Sequence, residues 1–190
     1  MTVTRNKLGM ASSFLLTALI VGIVTSVPVR AEISNATGNG HHEVARQLSS
    51  FKQTAFDMQK NADILNSMAP SRQLDWRSHA ESLETLKQQV NQLGQTLANL
   101  EELRPQANEG QRLAIDSARP PLAATAKQLS HALNLLSENR QTVYRTPYIE
   151  TVSTLSEHAT SLSNTVDTIM NFEKAKVRLS NLDLPTSTGS

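Results

Sequence analysis

Trp76, His79, Leu83, Leu86, Val90, Leu93, Leu97 and Leu100 alternate intervals of three and four without a break. A strand cannot use that spacing, because its side chains change face at every residue. On an α-helix the same spacing gathers all eight side chains into one stripe. The opposite face carries Arg77, Glu81, Glu84, Lys87, Gln88, Gln92 and Gln95. A helix so built must bury its stripe against other helices, which predicts an all-α bundle with coiled-coil-like seams.

Three more segments repeat the pattern. Val44, Leu48, Phe51, Ala55, Met58, Ala62 and Leu65 form a heptad seam that Met68 prolongs, and Ala69-Pro70-Ser71 ends it, since proline disfavours helix at the preceding residue. Pro105 closes the second segment. Asn108 with Gln111 three positions later reads as a capping box that opens the third. Arg119-Pro120-Pro121 interrupts that segment by removing two donors and crowding the preceding turn. The expectation is a short helix from Glu109 to about Ala118, a hinge, and a longer helix from Pro121 with Leu122, Ala126, Leu129, Leu133 and Leu136 as its seam. Thr146-Pro147 restarts a helix, a capping hydroxyl followed by proline at the first helical position. Tyr148, Val152, Leu155, Ala159, Leu162, Val166 and Ile169 supply the fourth seam. Strand-like alternation and exact repeats are both missing from the sequence.

Four segments of ~25–33 residues, each ~40–50 Å long at 1.5 Å per residue, joined by short connections, fold as an up-down-up-down bundle of long amphipathic helices. A three-helix arrangement, or an extended hairpin that dimerises, is the competing architecture. Aromatic residues make up only 4 % of the chain, so the core is Leu and Ala with some Val and Met. Alanine lets helices approach closely but buries less area, at ~25 cal/mol per Å², so length compensates for a lean core.

The amino terminus reads as a secretory signal over residues 1–31. Arg5 and Lys7 precede an apolar run from Phe14 to Val24, and Val29-Arg30-Ala31 places small residues three and one positions before a cut at Glu32, just after Pro28. The rival is a retained anchor, because Leu8 to Val29 carries no charge and could just span a bilayer. Gly, Ser, Thr and Pro within it favour cleavage, and in either case the positive flank directs the rest across the membrane. Residues 32–42 read as a disordered leader, 43–180 as the bundle and 181–190 as a disordered tail. Eighteen basic residues less Arg5, Lys7 and Arg30 leave fifteen after the cut, against seventeen acidic. Such an interspersed, near-neutral surface offers no electrostatic reason to expect nucleic acid or anionic lipid as partner, and no later apolar run is long enough to span a membrane. The chain has no cysteine, which excludes disulfides, thiolate metal sites, a thiol nucleophile and c-type haem attachment.

Bundles often host metals, haem or catalytic dyads, and the residues argue against each. The residues three before His79, His131 and His158 are Trp76, Gln128 and Leu155, so the Glu-x-x-His pairs of di-iron bundles are missing. His42-Glu43 is followed by Arg46 where a zincin helix has its second histidine. Non-covalent haem would need an axial pair such as His79 with Met58, Met68 or Met170, and nothing in their spacing favours it. The tandem His41-His42 sits beside Gly40 in the leader, which suits no structural metal. The serines lack a Gly-x-Ser-x-Gly turn, and Glu101-Glu102 lie side by side on a solvated helix face. His79 is the one polar residue in the second seam. It is the weak candidate for a cofactor-binding residue, against a half-exposed histidine with one ring nitrogen bonded across the bundle. Trp76 with Arg72 and Arg77 is either a small recognition patch or a plug for that end of the core.

These readings predict a non-enzymatic interaction or scaffold protein, exported to the periplasm or secreted, with no cofactor and no metal. Its partner is a protein or a second copy met through exposed helix faces. The alternative is a module that binds a small ligand or haem near His79 and the Pro120-Pro121 hinge.

Overall fold

The computed structural model describes residues 33–72, 75–138, 140, 141 and 143–182, all within one compact unit, Glu32–Ser190. The expected signal at 1–31, Glu32 and residues 183–190 lie outside the described residues. Four helices follow in order: α1 (Ile33–Met68), α2 (Trp76–Glu102), α3 (Glu109–Glu138) and α4 (Thr146–Leu182), with one 3-10 turn, Arg104–Gln106, between α2 and α3. Among the described residues there is no strand.

Each helix packs on its neighbours in sequence, and α4 closes the ring against α1. Cross-helix polar contacts fix the directions. Asn61 on α1 donates to Gln89 on α2 at 3.2 Å. Lys52 pairs with Asp167, whereas the Ser156 hydroxyl donates to Asp63, so α4 runs antiparallel to α1. Arg104 meets Asp116 at 2.7 Å and Lys176 meets Glu109 at 3.5 Å. The result is an all-α, up-down-up-down bundle. These ion pairs are exposed or, for Lys52 with Asp167, half-buried, and they orient helix faces more than they stabilise them.

Burial follows the seams. Val44, Leu48, Phe51, Ala55, Met58, Ala62 and Leu65 of α1 are buried, as are Leu83, Leu86, Leu93, Leu97 and Leu100 of α2 and Tyr148, Val152, Leu155, Ala159, Leu162 and Val166 of α4. The capping box forms as expected: the Gln111 N–H donates to Asn108 Oδ1 at 2.8 Å and the Asn108 N–H to Gln111 Oε1 at 2.9 Å. A helix restarts at Thr146-Pro147, but one residue earlier than expected: Thr146 is itself the first helical residue and Pro147 the second, and the Arg145 carbonyl accepts the N–H of Tyr148 and of Ile149 at 3.1 and 3.2 Å.

Four expectations are corrected. α3 runs without interruption through Pro120 and Pro121. Their missing N–H groups strand the carbonyls of Asp116 and Ser117, but Asp116 and Pro120 are exposed and Ser117 and Pro121 half-buried, so water can satisfy those oxygens. On the opposite face Ala114, Ile115, Ala118 and Leu122 are buried on both sides of the pair, and this packing holds the helix through it.

The α3 seam also takes Thr125 and Ala132 into the core, leaving Ala126 and Leu133 half-buried beside it. Thr125 can be buried because its hydroxyl donates to the Pro121 carbonyl at 2.8 Å, which removes the penalty for a hidden polar group. A reading by hydrophobicity passes over such a threonine.

At the amino end the expected leader is helical: α1 begins at Ile33. Gly40 is buried against the Gln106 side chain, and the His41 carbonyl accepts Gln111 Nε2 at 3.3 Å, so contacts with the α2–α3 connection and the first turn of α3 support the extra turns. At the carboxyl end α4 continues through Asn181 and Leu182, into the stretch expected to be tail.

Candidate functional site

His79 lies one turn inside α2, in the seam between Trp76 and Leu83, and Tyr148 lies in the first turn of α4. The two side chains meet across the bundle. His79 is fully buried and Tyr148 is 4 % exposed. Tyr148 Oη and His79 Nδ1 are 3.3 Å apart, and the rings stand edge to face with centroids 5.5 Å apart. The other imidazole nitrogen, Nε2, is buried with no hydrogen-bond partner among the described residues. Burial pushes His79 below its ordinary value of 6.5 and Tyr148 above its ordinary 10.0. Both groups are thus neutral over the physiological range, and their contact is a hydrogen bond between neutral groups. His79 was expected to be half exposed; instead Val143 of the α3–α4 connection and Tyr148 of α4 enter the core at this end.

The surface above this pair is held by arginines stacked on aromatic rings. The Arg140 guanidinium lies 4.6 Å and that of Arg77 5.0 Å from the centre of the Trp76 ring. Arg72 lies 5.5 Å from the centre of the Tyr144 ring. Trp76 is half-buried and packs against the core, so the plug reading describes it, while Arg72 turns to Tyr144 instead of joining Arg77. The exchange is reciprocal: the α1–α2 connection sends Arg72 to the α3–α4 connection, which sends Arg140 back.

A sequence signal underlies this exchange. Arg72-Gln73 precedes Trp76, and Arg140-Gln141 precedes Tyr144, with the same interval from arginine to aromatic. His79 and Tyr148 are 69 positions apart. The same step carries Leu83 to Val152, Leu86 to Leu155, Leu93 to Leu162 and Leu97 to Val166, all buried. His79 and Tyr148 therefore occupy matching positions in the seams of α2 and α4.

Other candidates lie apart from this pair. Pro120 follows Arg119, which pairs with Glu101; from His79 to Glu101 is about 33 Å along α2 at 1.5 Å per residue. The structure therefore does not bring His79 and the proline pair together. A surface groove of about 630 Å³ runs beside the prolines between α2 and α3, past Gly94, Leu97 and Leu122. Met170 lies at the far end of the bundle, near the start of α3. Among the described residues no three His, Asp or Glu side chains converge to hold a metal ion. Serine hydroxyls at 67, 82, 130 and 137 donate to carbonyls of their own helices.

The carboxyl-terminal part of α4 differs from the rest of the bundle. Phe172, Leu179 and Leu182 are 62, 62 and 79 % exposed. With Ala175, also exposed, they repeat at intervals of three, four and three, the spacing that the other seams bury. No helix among the described residues is long and apolar enough to cross a membrane. No family model, no curated protein and no solved structure matches the chain.

Proposed function

We propose that the chain is an exported, non-enzymatic interaction module that offers the end of α4 to an amphipathic helix of a partner protein. The stripe of Phe172, Ala175, Leu179 and Leu182 carries this reading. Its intervals of three, four and three are those of a helix seam, no helix among the described residues is laid over it, and a surface of that geometry fits the apolar face of another helix. Export rests on Arg5 and Lys7, the Phe14 to Val24 run and the Val29-x-Ala31 site, and places the contact in the periplasm or outside the cell. A haem or small ligand shared between His79 and the proline pair lacks a common site, because the two stand on distant parts of the bundle and the imidazole already bonds Tyr148.

The test is co-purification from the native host of wild-type chain, Phe172→Glu and Leu179→Glu, with Gln92→Glu on the solvated face of α2 as control. A specific partner kept by wild type and control and lost by both stripe variants, at unchanged circular dichroism, supports the reading. Retention by all four excludes the stripe. A dimer of the purified chain broken by the same two changes assigns the stripe to a second copy. An intact mass beginning at Glu32 establishes export with cleavage.

A further inference from the structure

At the end of the bundle opposite Trp76 the four-helix section loses one wall. Equal counts back from Asn61 and on from Gln89, which are hydrogen-bonded, lead to Leu48 and Glu102. α2 therefore ends level with Leu48, while α1 and α4 continue. The cleft left there measures about 470 Å³ and is lined by α1, α3 and α4, with no residue from α2. Leu48, Ala114, Met170 and Val177 give it an apolar wall. Lys174 and Arg178, one turn apart on α4 and both exposed, stand at its edge, and neither has an ion-pair partner among the described residues. By contrast Lys176 between them is paired with Glu109.

The one acid in the lining, Glu173, is placed elsewhere. A Cβ on Gly110 would lie 1.9 Å from Glu173 Cδ, so the glutamate side chain rests against the first turn of α3 in space that only glycine leaves. There its charge meets the positive end of the α3 dipole, and the two free cations are left to face whatever enters the cleft. The volume lies within the ~300–1,000 Å³ range of clefts that take small ligands. Apolar walls with two unpaired cations at one edge select a molecule that is apolar along its body and anionic at one end.

We propose that this cleft binds a free, single-tailed amphipathic monoanion of the fatty-acid type, with its chain against Leu48, Ala114, Met170 and Val177 and its head on Lys174 and Arg178. The site is separate from the outer stripe of α4 and does not depend on it.

Dodecanoate, below its micellar concentration, is titrated calorimetrically into the full chain, with dodecanol as the neutral probe. Saturable one-site binding is expected. The Lys174→Gln/Arg178→Gln double variant should weaken dodecanoate by about tenfold and leave dodecanol essentially unchanged. Ala45→Trp, at an exposed position on the cleft wall, should abolish binding of both at unchanged circular dichroism, and Ser49→Trp should do the same from the next turn of the wall. The proposal is overturned if the folded chain takes up neither probe, or if both tryptophan variants bind as wild type does. It is equally overturned if the double variant weakens both probes alike, which would make the cations structural. Co-sedimentation with phosphatidylglycerol vesicles without uptake of free dodecanoate would assign the cations to a membrane surface and reject the free ligand.

Discussion

The phenol of Tyr148 and Nδ1 of His79, 3.3 Å apart, form a buried polar contact between the seams of α2 and α4. Removing one member strands the other. His79→Leu leaves a buried tyrosine hydroxyl without a partner and should cost ~1–3 kcal/mol. The double variant His79→Leu/Tyr148→Phe removes both polar groups, together with the unpartnered Nε2, and should be at least as stable as wild type. Urea unfolding of wild type, both single variants and the double variant measures this; a double variant as weak as His79→Leu would show that the contact supplies net stability.

The same pair should contribute to the pH dependence of stability at both limits. His79 binds its proton less readily folded than unfolded, because burial disfavours the charged ring. Below the ordinary histidine value of 6.5 the unfolded chain therefore holds more protons, and stability must fall as the pH drops. Tyr148 acts at the other limit: burial raises its value above the ordinary 10.0, so above that pH the unfolded chain loses the proton first and stability falls again. Melting temperature across pH should form a plateau between these limits. In the double variant the acid and alkaline shoulders should both flatten; identical profiles would remove His79 and Tyr148 as their cause.

Leu93 is fully buried, and its neighbour Gln92 is exposed. Leu93→Ala should cost ~2–5 kcal/mol through lost burial and a residual cavity. Gln92→Ala, which removes no core contact, should change stability by no more than ~0.5 kcal/mol. Thermal melts of the two variants test the face assignment of α2 directly.

Two helical glycines should respond oppositely to alanine. A Cβ at Gly94 meets nothing within 4 Å, so Gly94→Ala should stabilise by ~0.5–1 kcal/mol through reduced backbone entropy. At Gly110 the new Cβ would collide with Glu173 Cγ and Cδ, both at 1.9 Å, and the glutamate must swing away. Gly110→Ala should therefore lose the gain seen at Gly94 in the wild-type chain and recover ~0.5–1 kcal/mol in a Glu173→Ala background. Additive single changes in the denaturation cycle would show that Glu173 does not occupy that space.

The amino-acid sequence determined by itself what depends on neighbours along the chain. The intervals from Trp76 to Leu100 dictate a helix with one apolar face, Asn108 and Gln111 cap α3 because three residues separate them, and Pro70, Pro105 and Pro147 fall at or near helix ends. Those are local effects of backbone sterics and helical period. Tertiary packing decided the rest. Pro120 and Pro121 remain inside α3 because Ala118 and Leu122 are buried on either side of them, a force no local rule contains. The turns before Glu43 are helical where Gly40 and His41 meet Gln106 and Gln111, residues far along the chain. Thr125 enters the core because a carbonyl one turn back satisfies it, although its polarity argued for the surface. The seam of α2 marked His79 as unusual, but its partner Tyr148, its full burial and its distance from the prolines depend on which helix stands opposite. The cleft over Leu48 exists because α2 stops level with that residue while α1 and α4 continue, and such a difference in level arises only when the helices are laid side by side.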